Sequence, residues 1–210
     1  MSRDPALIRI LSVDDHPIVL QGIAGLIALE SDMRIVAEAA NGREALQQFR
    51  THRPDVTLMD LQMPDMTGLD ATVAIRGEFP EARIIVLTTY AGDVQALRAI
   101  KAGARAYLLK SSLRRELLDT IRAVHAGKKS ISAEVSFQLA EHAAQEALTS
   151  LEIGVLQLIA EGKANKEIAV RLSLNEDAVK RQVRSILSKL DASDRTHAVT
   201  IGLRRGIIEL

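Results

Sequence analysis

"DVTLMDLQMPDMTG", residues 55–68, decides how this chain is to be read. "VTLM" (56–59) is a short, largely apolar run of the kind buried on both faces of a parallel sheet. Asp60 follows it at once, and a polar loop follows Asp60. An acid at that place is either a solvated strand end or a chemical group. The rest of the chain discriminates between the two.

Working outward, similar runs recur at "IRILSV" (8–13), "RIVAEA" (34–39), "RIIVLT" (83–88) and "AYLL" (106–109). Helical segments separate them. One spans 17–29, with Val19, Ile23, Leu26 and Ile27 on one face; others begin near Gly42, Gly68, Asp93 and Leu113. Five strands alternating with five helices predict an α/β domain with a five-stranded, doubly wound parallel sheet over residues 1–126. After "HAGKKSIS" (125–132) the strand signals stop, and the pattern is helical to the end. A partly helical linker is expected at 127–147 and a small all-α domain at 148–210. Thr149 and Glu152 have capping-box spacing and mark the start of its first helix.

Composition narrows the function classes. With 210 residues, 47% hydrophobic and 26% charged, the chain has the balance of globular protein. No apolar run approaches the roughly 20 residues that span a bilayer, and charge arrives too early at the N-terminus for a signal peptide. Having no cysteine excludes disulfides and thiolate metal sites and is compatible with a cytoplasmic location. Net charge is zero, so a nucleic-acid role would need a local basic face. Aromatics at 2% argue against a base-stacking single-strand binder.

In an open α/β sheet, ligands gather beyond the carboxyl ends of the strands. The first strand runs into Asp14 and Asp15, the third into Asp60, the fourth ends in Thr88, and Lys110 follows the fifth. With strand order 2-1-3-4-5 these residues share one edge. Three carboxylates in one place repel and call for a cation. An all-oxygen donor set suits Mg2+, which pairs carboxylates with phosphate oxygens. Three aspartates, one Mg2+ and Lys110 sum to zero charge. Such a site accommodates a phosphoryl group of charge about −1.5 to −2, with Thr88 placed to donate a hydroxyl hydrogen bond.

These motifs resemble a bacterial response-regulator receiver domain: "VDDH" (13–16) the acidic pair, "LMDLQMPDMTG" (58–68) the phosphoacceptor loop, "LTTY" (87–90) and "AYLLK" (106–110) the hydroxyl, aromatic and lysine positions. The resemblance implies that Asp60 receives a phosphoryl group from a sensor histidine kinase. It implies that Asp15 holds Mg2+ directly, Asp14 through water and Gln62 through its backbone carbonyl. Thr88 and Tyr107 become the coupled switch pair, and Lys110 binds phosphoryl oxygens. A strand tyrosine is equally an ordinary packing residue. Ser111 stands where many receivers have a proline.

The C-terminal half offers a candidate reader of double-stranded DNA. "NKEIAVRLSLNEDAVKRQVRSILSKL" (165–190) reads as helix, short turn, helix, with Asn175 as N-cap of the second. Val179, Val183, Ile186, Leu187 and Leu190 form its apolar stripe. The opposite face carries Asp177, Lys180, Arg181, Arg184, Ser185 and Ser188, which suits a major groove. From residue 148 on there are ten Lys and Arg against eight Asp and Glu, so placement rather than net charge carries the reading.

The segment from Leu148 is similar along its length to the four-helix effector domain of the NarL/FixJ/LuxR family. That resemblance implies that Lys180, Arg181 and Arg184 meet bases and phosphates, with Lys163, Lys166 and Thr196 as further backbone contacts. Gln182, Ala178 and Asp177 depart from the family pattern. Together the two resemblances imply a phosphorylation-activated regulator that binds promoter DNA as a homodimer, with no enzymatic role beyond its own phosphoryl transfer. A Mg2+-dependent phosphohydrolase built on Asp60 is the enzymatic alternative. It commonly needs a second acid two residues on, where Gln62 stands. An interaction protein whose effector no longer binds DNA is the third reading, supported by Asp177 and Gln182.

Overall fold

The computed structural model describes residues 7–89, 92–131, 136–137 and 146–208. It divides into two compact units, residues 1–89 with 96–135 and residues 90–95 with 136–210.

In the first unit the strands are β1 (Ile8–Val13), β2 (Met33–Ala39), β3 (Val56–Asp60), β4 (Ile84–Thr88), β5 (Ala106–Leu109) and β6 (Ser130–Ile131). The helices are α1 (Pro17–Ile27), α2 (Gly42–His52), α3 (Gly68–Glu78), α4 (Asp93–Lys101, within this unit from Ala96 on) and α5 (Leu113–His125). Every strand pairing is parallel, in the order β2-β1-β3-β4-β5-β6. Parallel neighbours need crossovers, and the intervening helices supply them.

All five residues of β3 and of β4 are buried, which explains their unbroken apolar runs. Ile10, Leu58, Ile85, Leu87 and Leu108 belong to one core with Ile23 and Ile27 of α1 and Leu117, Ile121 and Val124 of α5. Phe49 of α2 stacks on Phe79 with ring centroids 5.0 Å apart, and the Arg53 guanidinium lies 3.9 Å over the Phe79 ring.

Among the described residues the sheet has six strands where the periodicity predicts five. The addition is the two-residue β6, whose Ser130 and Ile131 lie opposite Ala106 and Tyr107. A two-residue strand is too short to leave an alternation signal; its pairing is made by a neighbour distant in sequence, as when Ser130 N–H donates to the Arg105 carbonyl at 3.0 Å. Helix α1 also ends at Ile27, two residues before its expected end, and Leu29 is 83% exposed.

The second unit contains α6 (Ser150–Ala160), α7 (Asn165–Arg171), α8 (Glu176–Lys189) and α9 (Arg195–Arg204). Each helix start is marked locally. Thr149 N–H donates to Glu152 Oε2 at 2.6 Å, while Glu152 N–H donates to Thr149 Oγ1 at 3.2 Å, which closes the capping box. Asn175 Oδ1 accepts from Ala178 N–H at 2.7 Å and Asp194 Oδ1 from His197 N–H at 2.9 Å. Val155, Leu156, Ile168, Val179, Ile186, Ala198 and Ile208 form the centre of this unit's core. The helix expected in the linker lies outside the described residues, apart from Ser136 and Phe137, which are helical.

Candidate functional site

The parallel sheet brings the predicted residues of the first unit to its carboxyl edge. Asp60 is the last residue of β3, opposite Leu87, and Thr88 ends β4, opposite Leu109. Asp14 and Asp15 follow β1, and Lys110 follows β5. Lys110 Nζ bridges two of the acids, 2.7 Å from Asp14 Oδ2 and 3.0 Å from Asp60 Oδ2. Asp14 and Asp60 are buried, whereas Asp15 and Lys110 retain partial access to solvent.

Burial pushes the Asp60 carboxyl above its ordinary range, opposed by the hydrogen bond and charge of Lys110. Burial disfavours the charged Lys110 ammonium, but hydrogen bonds to Asp14 and Asp60 outweigh it, and its pKa lies above the usual lysine value. The lysine therefore stays cationic between the two acids.

Local structure fixes this edge. The loop after Asp60 is clamped at both ends: Gly68 N–H donates to the Leu61 carbonyl at 3.0 Å and Gly42 N–H to the Met66 carbonyl at 3.2 Å. Asp65 within it adopts φ 64°, in the left-handed region that aspartate tolerates. Thr67 caps α3 by accepting from Asp70 N–H at 3.2 Å.

His16 joins the cluster, with Nδ1 2.7 Å from Asp15 Oδ1 and 3.2 Å from Asp14 Oδ1. Ligand atoms of Asp14, Asp15, His16 and Asp60 all lie within 4.8 Å of one another. Asp14 Oδ2 and Asp15 Oδ1 are shielded from solvent, the first facing Lys110 Nζ and the second His16 Nδ1, each at 2.7 Å. Oxygens so disposed suit a hard divalent cation. His16 was not singled out from the sequence, although "VDDH" contains it. Gln62 lies in the loop two residues past Asp60, with its side chain exposed. Tyr107 is wholly buried and hydrogen-bonded with Thr88; burial pushes its hydroxyl up to about 12, against a lowering by that bond.

In the second unit, the buried Val179 and Ile186 orient α8 so that Lys180, Arg181, Arg184 and Ser188 are exposed together. Ser185 departs from that face: its hydroxyl donates to Glu152 Oε1 at 2.6 Å, because α8 packs against α6 on that flank. Lys189 closes the same buried carboxylate from 3.0 Å. Lys166 and Thr196 are exposed, and Lys163 is half-buried with its carbonyl accepting from Arg195 Nη2 at 3.1 Å.

Comparison with known proteins matches both units. Residues 10–122 match the response regulator receiver domain, and residues 146–201 match the bacterial regulatory proteins of the luxR family. The chain therefore belongs to the two-component response regulators that carry a LuxR-type helix-turn-helix DNA-binding domain.

It is 39% identical over 210 residues to the transcriptional regulatory protein LiaR of Bacillus subtilis, covering 96% of this chain and 100% of LiaR. It is 35% identical over 207 residues to the response regulator protein VraR of Staphylococcus aureus, covering 96% and 99%. Among solved structures, RcsB of Salmonella enterica serovar Typhimurium bound to promoter P1flhDC with BeF3- is similar at a TM-score of 0.72 and 26% identity, covering 92% of this chain and 97% of RcsB. Among the described residues no helix is long and apolar enough to cross a membrane.

Proposed function

We propose that this chain is a phosphorylation-activated transcription regulator: a sensor histidine kinase phosphorylates Asp60, and the phosphorylated protein binds promoter DNA as a homodimer in the cytoplasm. The observation that carries this reading is the Lys110 ammonium bridging Asp14 and the strand-terminal Asp60. It is a carboxylate pair only partly neutralised by one lysine, at the ligand-binding edge of the sheet.

Asp60 attacks the phosphorus of a phosphohistidine; an O–P bond forms as the P–N bond breaks, and the histidine departs with the electron pair. Lys110 follows the charge from the carboxylates to the phosphoryl oxygens. Asp15 and Asp60, with Asp14 through water and the Gln62 carbonyl, would hold a Mg2+ ion, which supplies charge neutralisation during the transfer. Thr88 donates to the phosphoryl group, and its hydrogen bond with Tyr107 links that event to β5. The protein's catalysis extends to this single transfer onto itself.

In the second unit Lys180, Arg181, Arg184 and Ser188 enter the major groove, with Lys163, Lys166 and Thr196 along the backbone. Ser185, engaged with Glu152, is assigned to holding α8 in place.

The test is acyl-phosphate labelling with a small phosphodonor and Mg2+. Asp60→Asn is expected to lose the label while retaining its circular dichroism spectrum, and label persisting on another residue refutes the assignment. Lys180→Ala and Arg184→Ala are expected to keep the label and lose DNA affinity, each by roughly 1–3 kcal/mol if it reads a base.

A further inference from the structure

A carboxylate stands among the cations of the face assigned to DNA. Asp177, 79% exposed, lies in the first turn of α8, and its Oδ1 is 3.1 Å from Nζ of Lys180, itself 54% exposed. An exposed ion pair three residues apart contributes little to helix stability. Complementing the helix dipole does not single out Asp177 either, since Glu176 shares the first turn. What the pair does have is a fixed polarity. It presents a donor and an acceptor side by side at the end of the helix that, in such motifs, approaches the base edges.

From this geometry we infer that Asp177 and Lys180 act as one unit that reads a single, oriented G·C base pair in the major groove. This rests on the DNA-binding reading above and adds a specificity residue to it.

The dimensions agree. In a G·C pair the guanine O6 and the cytosine N4 are hydrogen-bonded to each other and so lie about 2.9 Å apart. The lysine nitrogen and aspartate oxygen are separated by nearly the same distance, 3.1 Å. Set against that edge, the ammonium donates to O6 and N7 of guanine while the carboxylate accepts from N4–H of cytosine.

Reversing the pair to C·G places ammonium against amino donor and carboxylate against O6 and N7, so both contacts become repulsive. A T·A pair keeps the polarity, through O4 and N6–H, but replaces the second acceptor for lysine with the thymine methyl. The expected order is G·C, then T·A, then the two reversed pairs. Asp177 has a second effect: it holds the lysine over its own helix rather than leaving it to reach sideways to a phosphate.

The test uses the full chain with beryllofluoride and Mg2+, selected against randomised duplex DNA. Anisotropy titrations then follow on the selected duplex and on variants substituted one base pair at a time. The wild type is expected to lose roughly tenfold or more in affinity when one G·C pair is reversed. Asp177→Ala is expected to lose most of that discrimination at this position alone. It should also bind other duplexes more tightly and with a steeper salt dependence, because one negative charge has left the interface.

If wild type and Asp177→Ala select the same sequence with the same penalties, Asp177 reads no base and the inference is overturned while DNA binding stands. If the wild type binds no duplex, the DNA-binding reading falls and this inference with it.

Discussion

Glu152 shows how much one side chain organises the second unit. It is 97% removed from solvent, yet charged, because three groups answer its two oxygens. Burial pushes its carboxyl up, but Ser185, the Thr149 N–H and Lys189 together outweigh burial and hold it at about 2. A carboxylate held below its ordinary 4.5 contributes stability that is present above about pH 4.5 and lost as pH falls toward 2. Glu152→Gln keeps the shape and removes the charge. It is expected to destabilise this unit by about 2–3 kcal/mol at pH 7, with the difference from wild type shrinking at pH 3. Hydrogen exchange of the α6 and α8 amides measures this directly. Unchanged protection in both helices would separate Glu152 from the role given to it.

At the scale of elements, the placement of Asp60 depends on how α3 meets β3. The helix begins at Gly68, where a Cβ would fall 1.7 Å from the Asp60 carbonyl oxygen and 2.8 Å from its carbonyl carbon. Backbone occupies that space, so no rotamer change makes room. Gly68→Ala must separate α3 from the end of the strand, at a cost of about 3 kcal/mol, and displace Asp60 from Lys110. Thermal melting is expected to show the destabilisation, and acyl-phosphate labelling should slow in protein that still folds. Unimpaired labelling would mean that the strand end is positioned independently of α3.

For the molecule as a whole, the proposal requires free-energy coupling between Asp60 and the basic face of α8. Allosteric couplings typically amount to about 1–3 kcal/mol, or roughly 5- to 150-fold in affinity. Beryllofluoride with Mg2+ should therefore tighten DNA binding by a factor in that range, and Asp60→Asn should abolish the gain. Two copies on one duplex would favour half-sites about one helical turn, 34–36 Å, apart. Equal affinity with and without beryllofluoride, measured by fluorescence anisotropy, would make the receiver irrelevant to DNA affinity. Sedimentation under the same conditions tests the accompanying dimerisation.

Much of this was written locally in the chain. The apolar runs of β1, β3, β4 and β5, the Asn175 and Thr149 caps and the apolar stripe of α8 are short-range patterns, legible because periodicity and capping act within a few residues. The acids at the strand ends were legible for the same reason, once strand order placed those ends together. Other features needed the folded chain. β6 exists through its partner β5, Ser185 turns to Glu152 because two helices pack, and His16 enters the acidic cluster through the turn after β1. Gly68 matters because of a backbone 8 residues away in sequence that the sheet brings against it. Local sequence determined which elements form and which residues end them, since propensity and pattern are properties of neighbours. Only the tertiary structure decided which of those residues touch, because distances between segments are set by packing.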